Sequence, residues 1–149
     1  METHPDRGGS SEAFKEVVAA YRYLQDLDIE KTISKWEGWT EGRLQSEVVK
    51  QLKKVGCVVF NIHGHSMQAP GWPDLFVAAH GGLAVWLELK VDNRKLSPLQ
   101  IGILKELRER GHRAACLRLK NTEGKVYIGE REFDKEILRN GRDLLEALE

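Results

Sequence analysis

At 149 residues, with 41% hydrophobic and 31% charged side chains, the chain suits one domain with a real core. No apolar run approaches the ~18 residues a membrane span needs, and the opening METHPDRGGSSE lacks the apolar centre of a signal peptide. Lys+Arg and Asp+Glu number 23 each, so a zero net charge speaks against a uniformly basic nucleic-acid binder.

The charge is unevenly spread. Residues 41–120 carry 13 basic and 7 acidic side chains, +6, and the remainder carries −6. A basic middle flanked by acidic helices fits contact with phosphate. Two cysteines, Cys57 and Cys116, fall in predicted strands and read as buried free thiols, from which a cytoplasmic location is expected.

In chain order, residues 1–11 read as a mobile tail. Residues 12–28 place Phe14, Val17, Val18, Tyr21, Leu24 and Leu27 at helical spacing, one apolar stripe that must cover its own domain or a second copy. Residues 29–39 are less legible; Trp36 and Trp39 could stack on bases, but an aromatic pair near a helix start is more often packing. The next helix is well marked, with Thr40 as N-cap, Glu41 in the first turn and Gly56 beyond the end. Its apolar face is Leu44, Val48, Leu52 and Val55. Glu47, next to Val48, leans toward the buried side, where an acid is costly unless paired with Lys50 or Arg43 or bound to metal. A strand over 57–63 follows, then His63-Gly64-His65-Ser66. These histidines lack the further Cys or His that zinc requires. His65 or His63 could reach substrate near Asp74, although a solvent-facing histidine is the plainer reading.

Residues 71–100, GWPDLFVAAHGGLAVWLELKVDNRKLSPLQ, organise the chain. Two short apolar runs, 75–79 and 83–89, flank His80-Gly81-Gly82 and predict a β-hairpin. Side chains alternate along a strand, so Glu88 and Lys90 share a face. A three-residue loop with a glycine at positive φ sets Asp74 beside Glu88, whereas a two-residue loop would put Asp74 opposite Leu89. The strand interiors (Phe76, Ala78, Ala84, Trp86) look buried on both faces. Two neighbouring carboxylates repel unless a cation lies between them. Hard Mg²⁺ or Mn²⁺ accepts such oxygens without thiolate or imidazole, and can polarise a phosphoryl group and lower the pKa of a water. Lys90 can then orient that water or balance developing charge. The plainer alternative is a turn aspartate and an edge ion pair.

Beyond Lys90, the polar, basic stretch 91–96 offers Arg94 and Lys95 to a phosphate, and would read the same as a solvated loop. Ser97 as N-cap and Pro98 at N1 launch a helix over 99–110 closed by Gly111, with Leu99, Ile103, Leu104 and Leu107 on its core face. Strands over 113–119 and 125–128 flank a turn at 121–124. The first of these can run parallel to strand 83–89 through a right-handed crossover. Residues 133–149 predict a C-terminal helical segment interrupted near Asn140-Gly141. The resulting fold class is α/β, a mixed sheet of about five strands flanked by helices.

Pro73-Asp74 followed by Glu88-x-Lys90 resembles the signature of the PD-(D/E)xK nuclease superfamily. With Gly71-Trp72-Pro73-Asp74-Leu75 and Leu96-Ser97-Pro98-Leu99-Gln100 it is similar to the VRR-NUC family in particular. The resemblance implies a restriction-endonuclease-like core over 40–130, with helical segments at 12–39 and 131–149 outside it. It also implies a metal-dependent phosphodiesterase acting on DNA. Asp74, Glu88, Glu47 and the Leu89 backbone carbonyl would hold one or two Mg²⁺ or Mn²⁺ ions, with Lys90 and Gln100 assisting at the scissile phosphate. Small stand-alone members resemble dimeric resolvases, which suggests a homodimer acting on four-way DNA junctions. A nuclease for flaps, nicks or duplex, an inactive DNA-binding module and an enzyme of small nucleotides are the alternatives.

Overall fold

The computed structural model describes residues 15–22, 38–62 and 70–149. The tail over 1–11, the flanks of the first predicted helix, Trp36, His63 and His65 lie outside these residues. The chain divides into two units, Met1–Glu37 and Gly38–Glu149. In the first, residues 15–22 form a helix (α1) whose Val17 and Tyr21 are 49% and 64% exposed.

The second unit opens with Trp39, which is buried, and α2 (Glu41–Lys54). Thr40 caps α2 by accepting from the Arg43 amide, and Leu44, Val48 and Leu52 are fully buried along one stripe. Strands β1 (Val58–Asn61), β2 (Leu75–Ala78) and β3 (Ala84–Val91) follow, then α3 (Pro98–Glu109), β4 (Arg113–Lys120), β5 (Lys125–Ile128), β6 (Arg131–Asp134) and α4 (Gly141–Leu148). The strands form one sheet in sequential order. Every neighbouring pair is antiparallel except β3–β4, which α3 joins in parallel.

The sheet has six strands rather than about five. Residues 131–134, partly assigned to the C-terminal helical segment, pair with β5 through a tight turn at Gly129-Glu130, Gly129 taking φ 61°. With Phe133 the one apolar residue in REFD, the strand has no alternation to reveal it. A 3-10 turn (Lys135–Arg139) then leads to α4, capped by the Asn140 side chain.

The two faces of the sheet differ. Odd-numbered residues of β2 and β3 (Leu75, Val77, Val85, Leu87, Leu89) are buried, with α2 packed on β1 and β3 and α4 packed on α2. The even-numbered face is covered in part by α3, where Leu104 and Leu107 meet Ala114, Trp86 and Trp72. One 12-residue helix cannot roof six strands. Phe76, Ala78 and Trp86 are therefore half-buried and Ala84 is exposed, which corrects the expectation of burial on both faces.

Candidate active site

The β2–β3 hairpin determines what meets what. Ala79 donates to the Leu83 carbonyl at 2.8 Å, closing a three-residue loop in which both Gly81 (φ 81°) and Gly82 (φ 84°) adopt the left-handed conformation. Pairing then runs Ala78↔Ala84, Val77↔Val85, Phe76↔Trp86, Leu75↔Leu87. The next step sets Asp74 opposite Glu88. This is the even register that the odd loop predicts.

Glu88 lies mid-sheet, 2% exposed, with Asp74 on one side and Cys116 its β4 partner on the other. Asp74 is held by the Leu89 amide, which donates to its Oδ2 at 2.7 Å. Glu88 Oε1 accepts from Gln100 Nε2 at 2.9 Å, and Lys90 Nζ lies 3.7 Å from the same oxygen. Gln100 reaches Glu88 through a capping box. Ser97 Oγ accepts from the Gln100 amide, and Gln100 Oε1 accepts from the Ser97 amide at 2.8 Å. That second bond occupies the amide oxygen and leaves Nε2 to face the carboxylate. Asp74, Glu88, Lys90 and Gln100 are thus brought together, from two strands and a helix start.

The electrostatics follow. Burial pushes the Glu88 carboxyl up from 4.5 to about 8, and the Asp74 charge adds to the rise. Lys90 opposes it, while a hydrogen bond that Asp74 offers the protonated form and the Glu41 charge raise it further. The Cys116 thiol is pushed up to about 11, chiefly by burial, so no thiolate competes at this position.

On helix α2 it is the charge of Glu41, at the helix start, that bears on Glu88. Six residues along a helix turn through roughly 600° and climb about 9 Å, so Glu41 and Glu47 cannot address one point. Glu47 accepts from Gln51 Nε2 at 2.9 Å, one turn on. Sequence reading noticed Glu41 only as a first-turn acid. The signal for it was its place at the helix start, and finding it required knowing how α2 docks on the sheet. Arg94 Nη1 lies 3.5 Å from Glu41 Oε1. Lys95 is exposed beside it. Trp39 packs under Arg43, whose guanidinium lies 4.6 Å from the indole ring centre, in place of the base-stacking alternative.

Two buried carboxylate oxygens, Glu88 Oε2 and Glu41 Oε1, have no hydrogen-bond partner. Orphaned acceptors on mutually repelling acids are the arrangement a hard cation satisfies, and the donors are all oxygen. Among the described residues, no three of His, Cys, Asp and Glu converge closely enough to hold an ion as they stand. Asp74 and Glu88 are paired, and the Glu41 carboxylate is drawn to Arg94. Nor, among these residues, is any helix long and apolar enough to cross a membrane.

No family model and no curated protein matches the chain. Among solved structures, it is similar to one described as a VRR_NUC domain. That likeness has 27% identity, covers 56% of this chain and 87% of that one, and has a TM-score of 0.46. The chain is also similar to Hjc, a Holliday junction resolvase of the archaeal hyperthermophile Archaeoglobus fulgidus. Here the identity is 17%, over 72% of this chain and 99% of that one, with a TM-score of 0.47.

Proposed function

We propose that the protein is a divalent-cation-dependent DNA endonuclease that selects branched DNA and cuts four-way junctions as a homodimer. The observation that carries this reading is the pairing of Asp74 with Glu88 beside Lys90, with orphaned carboxylate oxygens on Glu88 and Glu41. An all-oxygen donor set favours Mg²⁺ or Mn²⁺ over softer metals. Asp74, Glu88, Glu41 and the Leu89 backbone carbonyl would hold the ion. When bound, it supplies positive charge to the scissile phosphate and lowers the pKa of a water.

The chain's own groups do the rest. A water attacks phosphorus in line as the opposite P–O bond to the sugar breaks, the water giving its proton to solvent and the departing sugar oxygen taking one up. Lys90 orients the water and balances the charge that develops on the phosphate. Its ammonium group is half-buried and tied to Glu88, so it is fixed in direction. Gln100 keeps the Glu88 carboxylate turned to its task through the capping box. Arg94, Lys95 and His65 contact neighbouring phosphates. The branched-DNA preference rests on the motif resemblance, and the homodimer on the exposed Val17 and Tyr21 of α1.

The test is incubation of the pure protein with Mg²⁺ or Mn²⁺ and a panel of junction, flap, nicked, single-stranded and duplex DNA. Paired symmetric incisions in the junction are expected, along with a scattering mass twice that of one chain. Asp74→Ala, Glu88→Ala and Lys90→Ala should each lower cleavage at least about a hundredfold, the loss seen even for groups that merely support metal ligands. Undiminished cleavage by a well-folded Asp74→Ala protein rejects the assignment. Cutting of flaps, nicks or duplex alone replaces the junction reading. Binding without cleavage marks an inactive DNA-binding module, and hydrolysis of free nucleotides alone an enzyme of small substrates.

A further inference from the structure

The last turn before α2 and the loop after β3 are tied in one knot. The Asn121 side chain accepts from the Trp39 amide at 3.2 Å and donates to the Trp39 carbonyl at 3.1 Å. The same Asn121 gives its own amide and Nδ2 to the Asp92 carboxylate. Asp92 sits at φ 52°, a conformation costly for a residue with a Cβ and kept here by those bonds. Arg118 Nη1 donates to the carbonyls of Asp92 and Arg94, and Lys120 Nζ donates to Asn93 Oδ1 at 2.9 Å. Two residues beyond Trp39 stands Glu41; two beyond Asp92 stands Arg94. The knot therefore builds their apposition in.

The contact itself is made to be broken. Glu41 Oε1 is buried and lacks a hydrogen bond, while the Arg94 side chain is 70% exposed and approaches to 3.5 Å as a charge without a donated hydrogen. An ion pair with one side chain in solvent is weak, so it yields readily to a stronger counter-charge. Glu41 also bears on Glu88 through its charge, and so belongs to the same field as the paired acids. We propose that Arg94 is a displaceable counter-ion, a positioning residue that occupies Glu41 until a divalent cation takes its place and then turns its guanidinium to the DNA backbone. This rests on the reading of Asp74, Glu88 and Glu41 as holders of that cation.

The proposal gives Arg94 opposite effects on metal and on DNA. Titration of the full-length protein with Mn²⁺ alone, followed by electron paramagnetic resonance of the free ion, reads the first. Arg94→Ala should bind Mn²⁺ roughly two- to fivefold tighter than the parent, with Arg94→Lys close to the parent and Lys95→Ala unchanged. DNA binding in Ca²⁺ reads the second. Arg94→Ala should bind a synthetic four-way junction more weakly, and the slope of log affinity against log salt should fall by about one. Parent-like or weaker Mn²⁺ binding by Arg94→Ala overturns the proposal. So does an equal gain in Lys95→Ala, which would mark a diffuse field rather than a direct pair. If the parent shows no saturable Mn²⁺ binding, or Asp74→Ala binds as the parent does, it is the metal reading that fails, and that outcome is visible separately.

Discussion

A carboxylate in the middle of a sheet sets a condition on the residues around it. Glu88 is buried, faces Asp74 and has one oxygen without a partner, so its charged form is disfavoured even with Lys90 alongside. Its folded-state pKa, about 8, exceeds the ordinary value of 4.5. Between these values the native state holds a proton that the unfolded chain has released, so stability falls as pH rises through this window. In chelator, denaturant unfolding should show a loss of about 3 kcal/mol between pH 5 and pH 8. Glu88→Gln should flatten that slope and leave the metal-free protein the more stable of the two at pH 8, while abolishing cleavage. Saturating Mn²⁺ should reverse the parent's slope, because the cation competes with the proton for the same oxygens. A parent protein that gains stability from pH 5 to pH 8 in chelator contradicts this account of Glu88.

At the scale of elements, the site depends on one hairpin keeping count. Alternation of side chains is a local rule, so three loop residues were enough to predict from sequence that Asp74 and Glu88 stand together. The same locality made α2, α3 and their caps readable, since Thr40, Ser97 and Pro98 act within a turn of where they sit. What sequence could not supply was docking. Glu47 sits beside a buried valine, and only the pose of α2 on β1 and β3 shows that the helix start, with Glu41, is what nears Glu88. Strand β6 escaped because four residues with a single apolar one carry no period. The loop makes its own test. Gly81 has open space around it, so Gly81→Ala adds no clash and acts through φ alone. A loss of about 1 kcal/mol is expected in chemical denaturation, with Gly81→Asn costing less. Deleting one loop residue should do far more, because it turns Asp74 away from Glu88 and exposes Leu75 and Val77. Cleavage by such a deletion would contradict the register.

Across the whole of the Gly38–Glu149 unit, the layer behind the sheet seats α2, the helix that carries Glu41. Helix α4 begins against the C-terminal end of α2, and a Cβ added at Gly141 would collide with the Gln51 carbonyl oxygen and press on Val55. Backbone gives way less readily than a side-chain tip, so Gly141→Ala must push the two helices apart. A loss of about 2 kcal/mol is expected, read by denaturant unfolding of the full chain. Gly102 provides the contrast. It lies inside α3 with nothing near its missing Cβ, and Gly102→Ala should stabilise by roughly 0.5–1 kcal/mol through helix propensity alone. The two substitutions add the same methyl group, so opposite signs isolate packing from backbone entropy. Displacing α2 also shifts Glu41 relative to the β2–β3 hairpin, which Gly141 does not touch. Gly141→Ala should therefore weaken Mn²⁺ binding under conditions where the protein remains folded, and Gly102→Ala should leave it unchanged. Unaltered Mn²⁺ affinity in folded Gly141→Ala would mean that Asp74 and Glu88 hold the ion without help from α2.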